Sequence, residues 1–326
     1  MNILVTGAAG FIGSAYVRTL LGSGTAETSG VAHLTVLDKL TYAGTLDNLQ
    51  LDDPRLTFVH GDVCDAELVG ALMAKADQVV HFAAESHVDR SISAAAGFVR
   101  TNVMGTQTLL DAALRHEVDR FVHVSTDEVY GSVETGSSLE SDPLDPNSPY
   151  AASKAASDLI AISYHRTHGL DVRVTRCGNN YGPRQFPEKV IPLFITNLLD
   201  GGTVPLYGDG QNVRTWLHVE DHCDAVELVR ANGRPGEIYN VDGGTELSNR
   251  ELTELLLSAC GGDWSRVRFV PDRKGHDRRY SARGDKIRTQ LGYRPRRDFH
   301  SGLADTVGWY RENRAWWEPL KRRTGE

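Results

Sequence analysis

The sequence predicts an α/β fold in which helices cover both faces of a doubly wound parallel sheet, with a smaller C-terminal lobe attached. Two observations lead to this prediction. Short apolar runs rich in β-branched residues alternate with amphipathic stretches through the first half of the chain, and this alternation implies right-handed crossovers between parallel strands. In addition, a glycine-rich turn at Gly7–Gly13 joins the first apolar run to the first amphipathic stretch, as a strand-to-helix turn of such a sheet does.

The apolar runs of the first half are predicted to be buried strands, and the stretches between them helices. The predicted strands are Asn2–Thr6, Leu34–Asp38, Leu56–His60, Gln78–Phe82, Phe121–Ser125 and Asp171–Arg176. The predicted helices are Gly13–Leu21, Glu67–Lys75, Asn102–His116 and Ala151–His168. A polar insertion at Gly22–Gly30 is predicted to be an enlarged surface loop.

The second half is less regular. Prolines and glycines between residues 183 and 213 predict loops around a helix at Val190–Leu199. Later elements are predicted as helices at Val219–Arg230, Ser248–Ala259 and Gly302–Trp317, and a strand at Ile238–Val241 that rejoins the first sheet. Residues 1–182, with 219–243 rejoining them, are thus expected to form a Rossmann-type domain, and residues 183–218 and 244–326 a lobe for a second ligand.

Composition excludes several classes of protein. The 326 residues are 40% hydrophobic and 24% charged, as in ordinary globular proteins. The formal net charge of −8 argues against a nucleic-acid-binding protein, which normally carries a basic face. No run reaches the roughly 20 apolar residues that span a membrane, and no secretion leader precedes the first strand. We therefore expect a cytoplasmic protein without a membrane or nucleic-acid partner.

The cysteines and histidines do not form a metal-binding pattern. Cys64, Cys177, Cys223 and Cys260 are scattered, without the short spacing of a zinc site or a disulfide framework. His218 and His222 have the i, i+4 spacing of helical ligands, but no third ligand is evident. No metal site is expected.

The glycine turn predicts a dinucleotide site. Gly7, Gly10 and Gly13 permit a tight turn and let a pyrophosphate approach the N-terminus of the following helix. Asp38 ends the second strand, where a carboxylate accepts hydrogen bonds from ribose hydroxyls and repels a 2′-phosphate, so NAD is favoured over NADP. Asp62 follows the third strand and is a candidate adenine contact.

Tyr150 and Lys154 are the candidate catalytic pair. Their i, i+4 spacing places both side chains on one face of a helix that starts after Asn147-Ser-Pro. A phenol has a reference pKa of about 10, and an ammonium at ~5 Å lowers it by about two units at an effective dielectric near 20. The pair therefore predicts a tyrosine that accepts a proton near neutral pH.

A second candidate group follows the fifth predicted strand. Thr126, Asp127 and Glu128 lie where that strand ends, and ligands of open parallel sheets bind beyond the carboxyl ends of the strands. Two carboxyl groups in unlike environments can divide the roles of acid and base. This group predicts acid–base chemistry beyond a single proton transfer.

Taken together, these motifs resemble the extended short-chain dehydrogenase/reductase superfamily and, within it, the dTDP-glucose 4,6-dehydratase family. The resemblance covers essentially the whole chain. Its motifs are Gly7–Gly13, Ala83–Ser91, Ser125–Gly131, Tyr150–Lys154, Arg176–Pro183, Pro187–Phe194, Asp272–Tyr280 and Leu291–Pro295. Thr126, Asp127 and Glu128 distinguish the dehydratases from the related 4-epimerases, which carry small or neutral residues in place of the two acids.

The resemblance implies a three-step reaction with NAD as the cofactor. Tyr150 takes the proton of the C4 hydroxyl as hydride leaves C4, while Lys154 tunes Tyr150 and Thr126 hydrogen-bonds O4. Glu128 then removes the C5 proton and Asp127 protonates the departing C6 hydroxyl. Hydride returns to C6, which gives the 4-keto-6-deoxy sugar nucleotide and water.

The resemblance also implies further binding residues and a homodimer. Besides Gly7, Gly10, Gly13, Asp38, Asp62, Tyr150 and Lys154, the implied cofactor contacts are Phe11, Ile12, Lys39, Leu40, Thr41, Val63, Phe82, Ala83, Ala84, Ser86, Thr101, Ser125 and Asn180. Besides Thr126, Asp127 and Glu128, the implied dTDP-glucose contacts are Ser86, Asn179, Lys189, Val190, Pro205, Tyr207, Arg214, Asn249, Arg273 and His276. The helices at Asn102–His116 and Ala151–His168 would form the dimer interface, and their apolar faces are equally consistent with packing inside a single chain.

Two other functions remain open from the sequence. A nucleotide-sugar 4-epimerase needs Tyr150, Lys154 and NAD but no acid–base pair for elimination. A catalytically inactive NAD-binding regulator needs only the fold, and the intact Tyr150, Lys154, Asp127 and Glu128 argue against it.

Overall fold

The computed structural model describes residues 1–22 and 30–323. The insertion predicted as a surface loop at Gly22–Gly30 therefore lies, except for its two end residues, outside the described residues. Within the described ranges no helix is long and apolar enough to cross a membrane.

A parallel sheet forms the centre of the molecule. In chain order the strands are β1 (Asn2–Thr6), β2 (His33–Asp38), β3 (Leu56–His60), β4 (Gln78–His81), β5 (Arg120–Thr126), β6 (Val172–Cys177), β7 (Asn179–Tyr181), β8 (Val204–Tyr207), β9 (Val213–His218), β10 (Ile238–Val241), β11 (Thr245–Ser248) and β12 (Val267–Val270). The central sheet has the order β10-β6-β5-β4-β1-β2-β3, and all its pairs are parallel. The carboxyl ends of these strands therefore meet at one edge.

Helices cover both faces of this sheet, and others pack in the smaller C-terminal region. In chain order the helices of the described residues are α1 (Phe11–Leu21), α2 (Ala66–Met73), α3 (Val88–Ser93), α4 (Ala95–Phe98), α5 (Thr106–Arg115), α6 (Pro149–His168), α7 (Val190–Leu199), α8 (Val219–Asn232), α9 (Asn249–Cys260), α10 (Asp285–Leu291), α11 (Phe299–Glu312) and α12 (Arg314–Arg323). On one face α1 and α8 pack together, with Tyr16 and Val226 in the same core. On the other face α2, α5 and α6 bury Val69, Leu110 and Ile162 against the strands.

The C-terminal segments form a smaller region with its own core. Strands β11, β9 and β7 form one small sheet, and β12 pairs with β8 in another. Helices α7, α9, α11 and α12 pack around a third apolar cluster that includes Trp216 and Trp317. Helix α10 packs instead against β10, where Ile287 joins Tyr239 in a fourth cluster.

The predicted strands and helices of the first half are present with ends shifted by a few residues, and one helix is longer than predicted. The segment predicted as Asn102–His116 is the end of a longer helical run, because α4 continues through a π-helical stretch at Val99–Gly105 into α5. That stretch turns the Asn102 side chain inward, where it hydrogen-bonds the backbone of Glu85 and the Ser153 hydroxyl. Single π-helical turns of this kind occur frequently at functional sites.

Two predictions for the second half are wrong. The single helix predicted at Gly302–Trp317 is two helices, α11 and α12, separated at Asn313. The break brings Trp317 back into the small core, where its indole N–H donates to the Tyr310 carbonyl at 2.7 Å. The stretch from 183 to 213 also contains β8 besides loops and α7; Pro205 is tolerated there because β8 pairs on one side only.

Candidate active site

A cleft opens where β1, β2, β4, β5 and β6 end. Of the predicted cofactor residues, all except Leu40 line it. Ser86, Asn179, Lys189 and the three residues Thr126, Asp127 and Glu128, which were predicted to contact the substrate, line it as well. The parallel topology explains this meeting, because every strand delivers its following loop to the same edge.

The glycine turn at one end of the cleft allows no larger residue at two of its positions. Gly7 has a φ of +69°, and a Cβ placed on it would lie 2.5 Å from the Ala83 nitrogen. A Cβ on Gly13 would lie 2.3 Å from the Gly7 carbonyl oxygen. Helix α1 begins beside the cleft at Gly10 without a side-chain cap, so its first N–H groups have no side-chain acceptor. A pyrophosphate fits such a helix start.

Asp38 is fixed against this turn. Its carboxylate accepts from the backbone N–H groups of Ala9 at 2.9 Å and Leu40 at 2.8 Å. Burial raises the pKa of Asp38, and these two hydrogen bonds oppose the rise. Nearby, Lys39 and Asp62 form an ion pair at 2.8 Å. A carboxylate held at the end of β2 suits ribose hydroxyls and not a phosphate.

Tyr150 and Lys154 lie on the buried side of α6. Ser148 caps this helix by accepting from the Ala151 N–H at 3.1 Å, and Pro149 occupies its first turn. The Lys154 ammonium donates to the Val124 carbonyl at 2.8 Å. Burial lowers the pKa of Lys154 to about 8.

The protein alone does not lower the pKa of Tyr150. Burial raises this pKa well above 10, the Glu128 carboxylate adds to the rise, and a hydrogen bond with the Thr126 side chain opposes it. The expectation that Lys154 lowers this pKa by about two units is therefore not met, because desolvation of the buried phenol raises it. Bound ligands must supply part of the positive potential for Tyr150 to act as a base near neutral pH.

Asp127 and Glu128 occupy a single 3₁₀ turn after β5, at Asp127–Tyr130. The Thr126 hydroxyl caps the turn by accepting from the Glu128 N–H at 3.2 Å. Burial, reinforced by Glu128, raises the pKa of Asp127 to about 8. Burial also raises the pKa of Glu128, but three cations, Arg214, Lys189 and Arg273, oppose it. Asp127 is thus mainly protonated at neutral pH, while Glu128 is the better placed of the two to be ionised.

Polar groups from the C-terminal region complete the surroundings of Glu128. The Tyr280 hydroxyl donates to its carboxylate at 3.3 Å, and the Arg214 guanidinium lies 4.0 Å from the Tyr280 ring centroid. Arg273 pairs with Asp89 at 3.3 Å. Tyr207 lies between Arg273 and His276, with its ring centroid 5.2 Å from the guanidinium carbon and 6.3 Å from the imidazole centroid.

Tyr207, Arg214, Arg273 and His276 do not line the cleft itself, and the other predicted substrate residues, Val190, Pro205 and Asn249, do not line it either. Val190 begins α7 and packs against the small core. Pro205 lies within β8, and the Asn249 N–H at the start of α9 donates to the Asn212 carbonyl at 2.9 Å. A role for these three residues in ligand binding remains a prediction.

The sequence interpretation missed several residues that hold the site. Asn102 fixes the loop at Glu85, Tyr280 contacts Glu128, and His222 hydrogen-bonds the Asn180 amide oxygen at 3.0 Å. His218 and His222, which have the spacing of helical metal ligands, form hydrogen bonds within the protein. His218 accepts from the Glu220 N–H, and His222 bonds Asn180. The sequence could have indicated Asn102 and His222, because each is a polar residue on an otherwise apolar face of a helix.

Known proteins resemble this chain in sequence. The family model described as GDP-mannose 4,6 dehydratase matches residues 4–306. A dTDP-glucose 4,6-dehydratase from Streptomyces antibioticus is 69% identical over 323 residues, which are 99% of this chain and 96% of the relative.

Solved structures resemble it in fold as well. DesIV, a dTDP-glucose 4,6-dehydratase from Streptomyces venezuelae solved with NAD bound, is 63% identical with a TM-score of 0.96, over 98% of this chain and 100% of that one. A UDP-glucose 4-epimerase from Thermus thermophilus, solved with NAD, is 33% identical with a TM-score of 0.88, over 96% and 100% of the two chains. The dehydratase is therefore the nearer of these two structures in both sequence and shape.

Proposed function

The chain belongs to the GDP-mannose 4,6 dehydratase family and, within it, to the dTDP-glucose 4,6-dehydratases, and from this membership we propose which residues perform each step. The enzyme is an NAD-dependent hydro-lyase that converts dTDP-glucose into dTDP-4-keto-6-deoxyglucose and water. When bound, NAD takes up hydride from C4 of the sugar and returns it to C6. The observation that best supports the assignment of roles is the difference in surroundings of the two acids: burial and Glu128 raise the pKa of Asp127 to about 8, whereas Arg214, Lys189 and Arg273 oppose the rise in the pKa of Glu128.

The residues of the cleft fit this cofactor. The turn from Gly7 to Gly13 and the uncapped start of α1 would hold the pyrophosphate. Asp38 would accept hydrogen bonds from the ribose of the adenosine half, with Asp62 near the adenine. Ser125, Tyr150 and Lys154 line the opposite end of the cleft and would hold the nicotinamide half.

Tyr150 accepts the proton of the C4 hydroxyl in the first step. Thr126, which hydrogen-bonds the Tyr150 phenol, positions the same oxygen. The Lys154 ammonium lies on the same helical face and stabilises the phenolate form of Tyr150, which becomes a neutral phenol when it takes the proton. The C4 ketone formed in this step acidifies the adjacent C5–H bond.

Glu128 and Asp127 carry out the elimination. Glu128, held near Arg214, Lys189 and Arg273, is the carboxylate that takes the C5 proton. Asp127, with a pKa of about 8, keeps its proton at neutral pH and donates it to the departing C6 hydroxyl. The cations near Glu128 also suit the diphosphate of the sugar nucleotide.

The two other functions fit the site less well. A 4-epimerase has no step that needs a second buried carboxyl group beside a protonated Asp127. An inactive NAD-binding regulator has no need of a buried proton donor and acceptor in one turn, since both are costly to bury.

Turnover in heavy water tests these roles. Asp127→Asn and Glu128→Gln each replace one carboxyl group with an amide of the same shape, which can neither ionise nor act as an acid or base. With dTDP-glucose, Glu128→Gln should give reduced cofactor and a 4-keto hexose but stall before C5–H cleavage. Asp127→Asn should slow the loss of water, with a fall in kcat of roughly 10²–10⁴, the usual contribution of a positioned acid or base. Rapid-quench mass spectrometry measures both the 4-keto hexose and the loss of water in the two variants.

The native enzyme is the control and should give product that carries deuterium at C5. A Glu128→Gln enzyme that forms the 6-deoxy product at the native rate, with deuterium at C5, shows that another group is the base. Product epimerised at C4, without loss of water, shows that the enzyme is an epimerase.

We propose the same division of the chain that the sequence predicts. Residues 1–182 and 219–243 would form the NAD-binding domain, in support of which β10 pairs with β6. Residues 183–218 and 244–326 would form the lobe that holds the sugar nucleotide, and most of their apolar side chains share one core.

We also propose a cytoplasmic homodimer. Exposed apolar side chains on the two helical segments expected at the interface support it: Met104 is 56% and Leu159 63% exposed. The free thiols of Cys64, Cys177, Cys223 and Cys260 suit a reducing compartment.

A further inference from the structure

A buried charge pair lies beneath the catalytic face of α6. Asp158 is one turn beyond Lys154 on the same face of this helix. Its carboxylate accepts from Arg176 Nε of β6 at 2.8 Å, and the two side chains are 1% and 3% exposed. Arg176 also donates to the Tyr130 hydroxyl at 2.8 Å, at the end of the turn that carries Asp127 and Glu128. The pair therefore joins the helix of Tyr150 to the turn of the two acids.

Stability alone is a weak reason for such a pair. The cost of taking two charges out of water is large, and apolar residues of the same volume often stabilise a core as well or better. The Arg176–Tyr130 contact does not require a carboxylate on α6. The position of Asp158 relative to Lys154 supplies another reason.

We propose that Asp158 is a positioning residue that keeps the Lys154 side chain charged beside the site. This inference rests on the role proposed above for Lys154. Asp158 acts through Lys154 and touches neither substrate nor cofactor.

The surroundings of Lys154 explain why it needs such a residue. Its hydrogen-bond acceptor at 2.8 Å is the neutral Val124 carbonyl. Burial lowers its pKa to about 8, while Asp158 and Cys177 oppose the fall. Burial raises the pKa of the Cys177 thiol to about 12, so this thiol is uncharged at neutral pH. Of Asp158 and Cys177, therefore, only Asp158 is ionised near Lys154 at neutral pH.

Other titratable groups face the same space but carry no negative charge. From the packed elements these are His81 of β4, His123 of β5, Arg176 of β6 and Tyr150 of α6. Burial lowers the pKa of His123 to about 4 and that of His81 well below its usual value, so both rings are neutral. Burial and Glu128 raise the pKa of Tyr150, so its phenol is neutral too.

Asp158 is built to stay ionised. Burial raises its pKa, but a hydrogen bond with His123 and the charge of Arg176 outweigh it and hold the pKa at about 2. The carboxylate is thus a fixed negative charge over the whole range in which Lys154 titrates. If Asp158 is neutralised, Lys154 loses its proton at a lower pH.

The dependence of C4 oxidation on pH tests the inference, because Asp127, whose own pKa of about 8 would also shape the alkaline limb of kcat, acts only in the later elimination. The native enzyme needs a protonated Lys154, so the single-turnover rate of NAD reduction falls as pH rises through the pKa of this residue. In Asp158→Asn this alkaline limb should move to lower pH by about one unit, which is roughly a tenfold loss of this rate on the alkaline side. A role in stability alone would lower the melting temperature and leave the limb in place, and that result would overturn the inference.

Further variants separate charge from folding. Arg176→Gln removes the partner but keeps the carboxylate, so its alkaline limb should stay in place or move to higher pH; a downward shift would contradict the inference. Asp158→Asn/Arg176→Gln leaves no unpaired buried charge, and its limb should match that of Asp158→Asn. Lys154→Met should abolish most activity; if it instead keeps native turnover, the proposed role of Lys154 is wrong, whichever way the Asp158 variants behave.

Discussion

Asp127 and Glu128 show at the scale of single residues how far a sequence determines chemistry. The sequence places both acids at the end of a strand, and that placement is correct. Which of them holds a proton depends on burial and on Arg214, Lys189 and Arg273, which come from distant segments. The same holds for Tyr150, whose pKa reflects its burial more than the lysine four residues away.

Asp38→Ala tests cofactor choice at this scale. The native protein should bind NAD far better than NADP, because two like charges ~5 Å apart repel by on the order of 3 kcal/mol at an effective dielectric near 20. Removing the carboxylate should narrow the ratio of the two dissociation constants by about tenfold or more. Titration calorimetry with both nucleotides measures it, and equal affinities in the native protein would refute the role of Asp38.

Strands and helices could be predicted from the sequence where the pattern of apolar residues shows directly which side chains are buried. Strand β1, for example, is buried on both faces from Ile3 onward, and Ile3, Leu4 and Val5 form a continuous apolar run in the sequence. The break at Asn313 could not be predicted, because it depends on where Trp317 must pack. Strand β8 was missed for a similar reason. Its partner β12 is distant in sequence, and β8 itself contains Pro205.

Gly13→Ala tests the glycine turn as an element. The added Cβ would lie 2.3 Å from the Gly7 carbonyl oxygen, so the backbone must shift. We expect a loss of stability of ~1–3 kcal/mol, as for overpacked cores, and much weaker NAD binding. Thermal unfolding and NAD titration measure the two effects.

Gly97→Ala is the matched control, because a Cβ on this helical glycine meets no atom within 4 Å. It should leave NAD binding unchanged and raise stability slightly. Native-like NAD binding by Gly13→Ala would show that the turn does not hold the pyrophosphate.

At the scale of the whole molecule, the site assembles parts of the chain that are far apart. Glu128 comes from the central sheet region, whereas Tyr280 and Arg214, which surround it, come from the C-terminal half. The sequence indicated Arg214 only through the resemblance and did not indicate Tyr280, because no local pattern pairs positions so distant. The fold class needed no such information, since the alternation of strands and helices is local.

Leu159→Glu tests the proposed dimer. The Leu159 side chain points out of α6 and is 63% exposed, so a charge there should leave the fold intact while opposing the burial of this face in a dimer. Light scattering should report a dimer for the native protein and a monomer for the variant. Phe269→Glu, at a side chain 53% exposed on β12, is the control and should remain dimeric. A monomeric native protein would exclude the dimer.

The packing of α1 against α8 has a consequence for how the protein is made. A ribosome releases α1 early, but the helix that covers its apolar face, Val219–Asn232, and the edge strand Ile238–Val241 emerge much later. Until then the nascent chain exposes an unfinished sheet edge and an apolar helix face, which are surfaces that chaperones bind and that promote aggregation. The glycine turn at Gly7–Gly13 is therefore synthesised first but supported late, and pauses in translation before residue 241 would prolong the exposure of the helix that follows it.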